Sequence, residues 1–170
     1  GLEVEAEVVG VAVDVVHEGR RALAVLATED LEVIKVSGFY DAEVGAFGWV
    51  NDERIVMTIV RKRYGREAPG SYGEIYAVNA DGSAPKYLYG INADEPAMAY
   101  GDVLGIIDDR HILIQSYPYG VKDGIPEALK VNIYSGRISR EARSRLRGAA
   151  FVADENMAPR FVQGVDDDNE

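Results

Sequence analysis

The sequence predicts an all-β chain built from repeated four-stranded antiparallel units. Three observations carry that expectation. Apolar residues arrive in short β-branched runs or in alternation with polar ones, the period of a strand. Turn formers separate them, including Asp81-Gly82, in a chain that holds 18 glycines. One order of strand and turn recurs at an offset of 57 residues, Asn51 in the first copy matching Asp108 in the second.

The elements follow in order. Leu2, Val4, Ala6 and Val8 alternate with glutamates, as in a half-buried strand. Residues 22–27 are an apolar run, Thr28-Glu29-Asp30 is polar, and residues 31–36 are strand-like again, so 22–36 reads as a hairpin. Phe47-Gly48-Trp49-Val50 leads into the polar turn Asn51-Asp52-Glu53-Arg54 and then into the β-branched run 55–60. Residues 61–73 are charged and carry Gly and Pro, the composition of a loop. Residues 74–78 form a strand, 79–83 a hairpin turn in which Gly82 supplies a positive φ, and 85–89 the return strand.

The second copy keeps this plan. Leu104-Gly105-Ile106-Ile107 leads into Asp108-Asp109-Arg110-His111 and then into residues 112–116. A Gly/Pro loop over 117–126, a strand over 128–134, a Ser135-Gly136 turn and a return strand from Arg137 to Arg140 complete it. Ile138, Ala142 and Leu146 also fall at helical spacing, but the preceding strand and turn need a return partner, which favours a strand. Residues 151–165 read as the inner strands of a further unit around Asp154-Glu155-Asn156. Such repeats are the mark of a partial β-propeller of two to three four-stranded antiparallel blades, with blade elements over about 20–45, 46–90 and 103–148 and another starting at 149–170. The loops 61–73 and 117–126 account for a repeat longer than the ~40–50 residues of an ordinary blade.

Composition narrows the function. A net charge of −11 argues against nucleic-acid binding, which needs a basic face. There is no cysteine, hence no disulfide, thiolate nucleophile or Cys-based zinc site. No apolar run approaches the ~18 residues of a membrane span; the longest, residues 8–16, is broken by Gly10 and Asp14. No basic segment followed by an apolar one marks a signal peptide, and the compartment stays open between cytosol and periplasm.

No catalytic, cofactor or metal site is read in the chain. His17 sits beside Glu18-Gly19-Arg20 in an exposed setting and His111 lies in the repeated turn; neither has a third ligand at metal spacing. Asp108-Asp109 could serve as an acid and base pair, but it falls where the first copy has Asn51-Asp52, and a repeated turn calls for side chains that bond the local backbone. Asp166-Asp167-Asp168-Asn169-Glu170 lacks the glycine and the terminal glutamate of a calcium loop and reads as a solvated turn. Arg137, Arg140, Arg143, Arg145 and Arg147 read as a cationic edge that protects a strand from foreign pairing. Tyr72, Tyr76, Tyr87, Tyr89, Tyr100, Tyr117, Tyr119 and Tyr134 read mostly as packing between units with the hydroxyl at the rim. Gly70-Ser71-Tyr72-Gly73 has the wrong spacing for a Gly-x-Ser-x-Gly nucleophile elbow.

Three blocks also carry a family resemblance over roughly residues 20–170. Trp49-Val50-Asn51-Asp52-Glu53-Arg54-Ile55-Val56 resembles the W-S-P-D-G-K-x-I-x-F element of TolB-like and prolyl-oligopeptidase-type propellers. Ile75-Tyr76-Ala77-Val78-Asn79-Ala80-Asp81-Gly82-Ser83 is similar to the I-Y-x-V-x-x-D-G-S hairpin that follows it. With Arg160-Phe161-Val162-Gln163-Gly164-Val165-Asp166-Asp167-Asp168, they resemble most the propellers that precede an α/β-hydrolase domain in bacterial serine peptidases of the prolyl oligopeptidase family. The second copy departs from the pattern at Tyr134-Ser135-Gly136. The resemblance implies a non-catalytic segment that gates peptide substrates and docks on an α/β-hydrolase domain of the same parent protein, which supplies Ser, Asp and His. It also implies exposed blade flanks open to self-association. A free-standing TolB-like module that recruits a protein partner, and a small carboxylate enzyme using Asp108 and Asp109, are the alternatives.

Overall fold

The computed structural model describes residues 10–62, 70–119 and 124–164. Among them the chain is all-β, with no helix and four antiparallel sheets. Sheet 1 holds β1 (Val11–His17), β2 (Arg20–Leu26) and β3 (Val33–Ser37). Sheet 2 holds β4 (Glu43–Trp49), β5 (Arg54–Arg61), β6 (Gly70–Asn79) and β7 (Lys86–Tyr89). Sheet 3 holds β8 (Ala99–Asp108), β9 (His111–Pro118), β10 (Glu127–Asn132) and β11 (Ile138–Arg143), and sheet 4 holds β12 (Ala150–Ala153) and β13 (Pro159–Gln163). Every sheet is a meander, so strands adjacent in sequence are adjacent in space.

The sheets stack face to face through the alternation of strand side chains. On β5, Ile55 and Met57 face sheet 1, where Leu23 and Val25 meet them. Val56 between them faces the other way, joining Ile75 and Ala77 against Ile112, Ile114 and Val131 of sheet 3. On β9 the same alternation sends Leu113 to Phe151 of sheet 4. A strand segment buried on both faces needs apolar residues at every position, which is why 55–57 and 112–114 are continuous runs. Each fully buried Ile or Leu contributes about 1.5–3 kcal/mol.

The hairpin expected over 22–36 is β2–β3, and the recurring turns fall where the 57-residue offset places them. Residues 138–143 form a strand, and a bulge explains their helical look. Ala128 pairs with Ala142 and Leu129 with Arg140, leaving Glu141 as the extra residue. The side-chain parity flips there, so Ile138 packs toward sheet 2 and Ala142 toward sheet 4.

Both long loops are shorter than expected: 117–126 reads as a loop, yet β9 runs on to Pro118. Residues 61–73 read as a loop, yet β6 begins at Gly70 and pairs through Ser71 with Val60. Gly73 is a bend inside the strand, not its start: with φ 76° it lets β6 pass the backbone of Tyr100 and Gly101. The alternating segment 2–8, the acidic segment 166–170 and parts of both long loops lie outside the described residues.

A Cβ at Gly73 would be strained and would collide with that backbone, whereas one at Gly48 meets open space. Gly73→Ala is expected to lower the unfolding free energy by about 2 kcal/mol or more in urea titrations, against under ~0.5 kcal/mol for Gly48→Ala.

Candidate functional site

The most elaborated polar site is the junction between sheets 2 and 3, built on a turn. Asn51 follows β4 in the turn, and its Oδ1 accepts the Glu53 amide at 3.1 Å and the Arg54 amide at 2.8 Å, which shapes the turn into β5. That leaves its Nδ2 free to reach sheet 3, where it donates to the Asp109 carbonyl at 2.7 Å and the Tyr134 hydroxyl at 2.8 Å. Tyr134 in turn donates to Glu53 Oε1 at 2.7 Å.

Arg54 opens β5 and is 1% exposed. Its Nε donates to the Ile133 carbonyl of sheet 3 at 2.7 Å. Its Nη1 donates to Asn79 Oδ1 at 2.7 Å and the Ala84 carbonyl at 3.0 Å. The Tyr134 ring has the Arg54 guanidinium 5.0 Å and the Arg110 guanidinium 5.1 Å from its centroid. Burial pushes Arg54 down from its ordinary value, but a guanidinium stays charged at any physiological pH. Burial and the Glu53 carboxylate both raise the Tyr134 hydroxyl above its ordinary value.

The turn recurs twice. Asp108 accepts the Arg110 amide at 2.8 Å, and Asp154 accepts the Asn156 amide at 3.0 Å and the Ala158 amide at 2.9 Å. The Ala80 amide donates to Glu53 O at 2.8 Å, and the Ile133 amide repeats this to Arg110 O at 2.9 Å. Arg54 is replaced by His111, whose Nδ1 bonds Asp108 at 2.8 Å and whose Nε2 faces Asn132 Nδ2 at 3.2 Å. Asn132 thus stands to His111 as Asn79 stands to Arg54.

The opposite end of the sheets holds a second buried polar group. Glu74 is fully buried on β6, paired with Arg61 and accepting from Asn92 Nδ2 at 2.5 Å. Nearby, the buried Tyr89 hydroxyl meets Ser116 Oγ of sheet 3 at 2.5 Å, inside the stack and not at a rim. Tyr76 sits edge-on between Phe39 and Tyr87, and Tyr100 packs edge-on against Tyr119. Between β4 and β8, Phe47, Trp49, Val103, Ile106 and Ile112 line an apolar cavity of about 210 Å³.

The sequence-derived candidates take structural places. Asp108 caps its turn, also 3.9 Å from Lys130, and Asp109 offers its carbonyl to Asn51. Both ring nitrogens of His111 are engaged, and His17 is exposed at the end of β1. Ser71 Oγ accepts the Gly73 amide at 3.0 Å, a local bond within β6. Arg140 and Arg143 lie on the edge strand β11 and reach Glu127 of β10 at 3.0 and 3.7 Å. Among the described residues no three His, Cys, Asp or Glu side chains gather as a metal site. Sequence reasoning missed Arg54, and Glu74 with Arg61 and Asn92. The available signal was an arginine heading a continuous apolar run, with asparagine closing the third strand of both copies at 79 and 132.

Arg54→Ala strands two carbonyls and an amide oxygen, so it is expected to cost about 3 kcal/mol or more in chemical denaturation. Tyr134→Phe keeps the ring and is expected to cost about 1 kcal/mol, with a coupling of at least ~0.5 kcal/mol in the double-mutant cycle. Hydrogen bonds from Arg160 and the Ala158 amide hold the Asp154 carboxyl below its ordinary value of 3.8. At Asp108 burial works upward, but the Arg110 amide and His111 outweigh it and the carboxyl is again lowered. A carboxylate depressed by folding stabilises above the unfolded value near ~4, and that stabilisation is lost as the pH falls through the folded one. The stability of Asp154→Asn, measured from pH 6 down to about 2, should therefore fall less steeply with acid than that of the parent chain.

Compared with protein families, with curated proteins and with solved structures, the chain matches none.

Proposed function

We propose that this chain is a propeller segment of a prolyl-oligopeptidase-like serine peptidase, gating access of peptide substrates and docking on an α/β-hydrolase domain. The observation that carries the reading is the repeat: two four-stranded meanders stacked face to face, with the same turn recurring at Asn51, Asp108 and Asp154. Of the three sequence blocks that resemble peptidase propellers, the first spans the β4–β5 turn, the second lies in β6 and the turn after it, and the described part of the third includes most of β13. The described residues are spent on inter-sheet packing and turn geometry, the work of a scaffold that excludes and positions. The function follows as steric selection, with the chemistry supplied by the hydrolase domain.

The experiment is to read and express the coding sequence continuing past residue 170. A downstream hydrolase carrying Gly-x-Ser-x-Gly, with peptidase activity confined to short peptides, is the expected result. Arg54→Ala in that protein should relax the size limit, raising cleavage of a long peptide relative to a short one several-fold. A stop codon, or a downstream domain of another class, would overturn the reading in favour of a free-standing module that recruits a protein partner.

A further inference from the structure

A methionine in a strained turn helps to seat sheet 4 on sheet 3. The ladder from β8 to β9 shifts register twice, over Leu104 and over Ile107. Both of these bulged residues pack toward sheet 4. Gly105 lies between them and pairs with Leu113, which also faces sheet 4. Paired residues share a face, so the missing side chain of Gly105 leaves a notch in an apolar surface. Met157 fills that notch. A Cβ at Gly105 would run into the Met157 sulfur and crowd its methyl group.

The backbone is strained to hold Met157 there. It sits in the β12–β13 turn with a φ of 56°, a left-handed conformation that long side chains rarely adopt. The Asp154 carbonyl accepts its amide at 2.9 Å, and Asp154 Oδ1 accepts the amides on either side, from Asn156 at 3.0 Å and Ala158 at 2.9 Å. Strain of this kind persists where the surroundings over-determine it, and here they fix the sulfur against the notch. The three methionines of the chain differ in setting. Met57 is 1% exposed in the core, Met98 is 65% exposed, and Met157 is half-buried at the edge of an apolar cluster. In a chain with no cysteine, the thioether is the group that a mild peroxide turns from apolar to polar.

We infer that Met157 is a peroxide-sensitive latch between sheets 3 and 4. The sulfur lone pair attacks hydrogen peroxide, an S–O bond forms as the O–O bond breaks, and water leaves. Sulfur loses two electrons and the peroxide gains them. The sulfoxide carries an oxygen for which the notch has neither room nor a hydrogen-bond donor side chain, so it moves out to water. Phe151 still packs with Leu113, and its amide still donates to Gln115 Oε1, so the change is an opening at the turn end of sheet 4. Leu104 and Ile107 are bared by it. The inference concerns only how sheets 3 and 4 join, and holds or fails apart from the peptidase reading.

The test treats the whole folded chain with hydrogen peroxide and maps oxidation by peptide mass spectrometry. Met98 and Met157 should gain one oxygen each while Met57 stays unmodified. Hydrogen exchange should then speed at least tenfold over residues 152–162 and stay unchanged over 54–61. A methionine sulfoxide reductase should restore the slow exchange. Met157→Leu under the same peroxide dose should show no acceleration over 152–162, although its Met98 is oxidised. Met157→Gln, which puts a polar group at the notch, should speed that exchange with no oxidant present. Three results would overturn the inference. One is a Met157 that reacts only when the chain is unfolded. Another is exchange over 152–162 that is unchanged once Met157 is oxidised. The third is an acceleration that Met157→Leu shows equally, or that spreads over 54–61, which would assign it to Met98 or to general unfolding.

Discussion

The structure depends on burial of each inner sheet from both sides. Ile55 and Met57 look one way from β5 and Val56 the other, and β9 repeats this with Ile112, Leu113 and Ile114. Sheets 2 and 3 are covered on both faces, so the centres of β5 and β9 are apolar on consecutive residues, Ile55 to Met57 and Ile112 to Ile114. The sheets at the two ends of the stack lack that second cover. Their outward side chains include Val33, 60% exposed in sheet 1, and Phe161, 71% exposed in sheet 4. Exposed apolar patches of this kind are where a fold meets its partners.

Apolar contact between sheets is non-directional and leaves the sliding of one sheet over another poorly specified. The polar junction supplies the direction. Arg54, Asn51 and Tyr134 tie the β4–β5 turn to two turns of sheet 3, between partners 58–83 residues apart in sequence, through hydrogen bonds of fixed geometry. Removing one member exposes buried acceptors with no water to replace it, so the junction acts as a unit. Glu74 is satisfied differently, by Arg61 of its own sheet and Asn92 of the connection that follows β7.

The side of the stack formed by the first strands is chemically different. β4 and β8 leave an apolar cavity between Trp49 and Ile106. Protected edges such as β11, with Arg140 and Arg143 held to Glu127, lie on the opposite side.

Local chemistry decided what could be read in advance. The turns at 51–54, 79–83 and 108–111 were legible because Asn, Asp and Gly act within three or four residues of themselves, and the runs between them because strand period is a local property. What the sequence by itself determined, then, is the strand order and the repeat. Tertiary structure alone decided that Gly73 bends a strand without ending it, that Glu141 bulges and flips the faces of β11, and that Arg54 is buried. Each of those outcomes depends on a partner far along the chain: Gly73 on Gly101, Arg54 on Ile133. A side chain's environment is set by what packs on it, and no local pattern encodes a neighbour that arrives from another sheet.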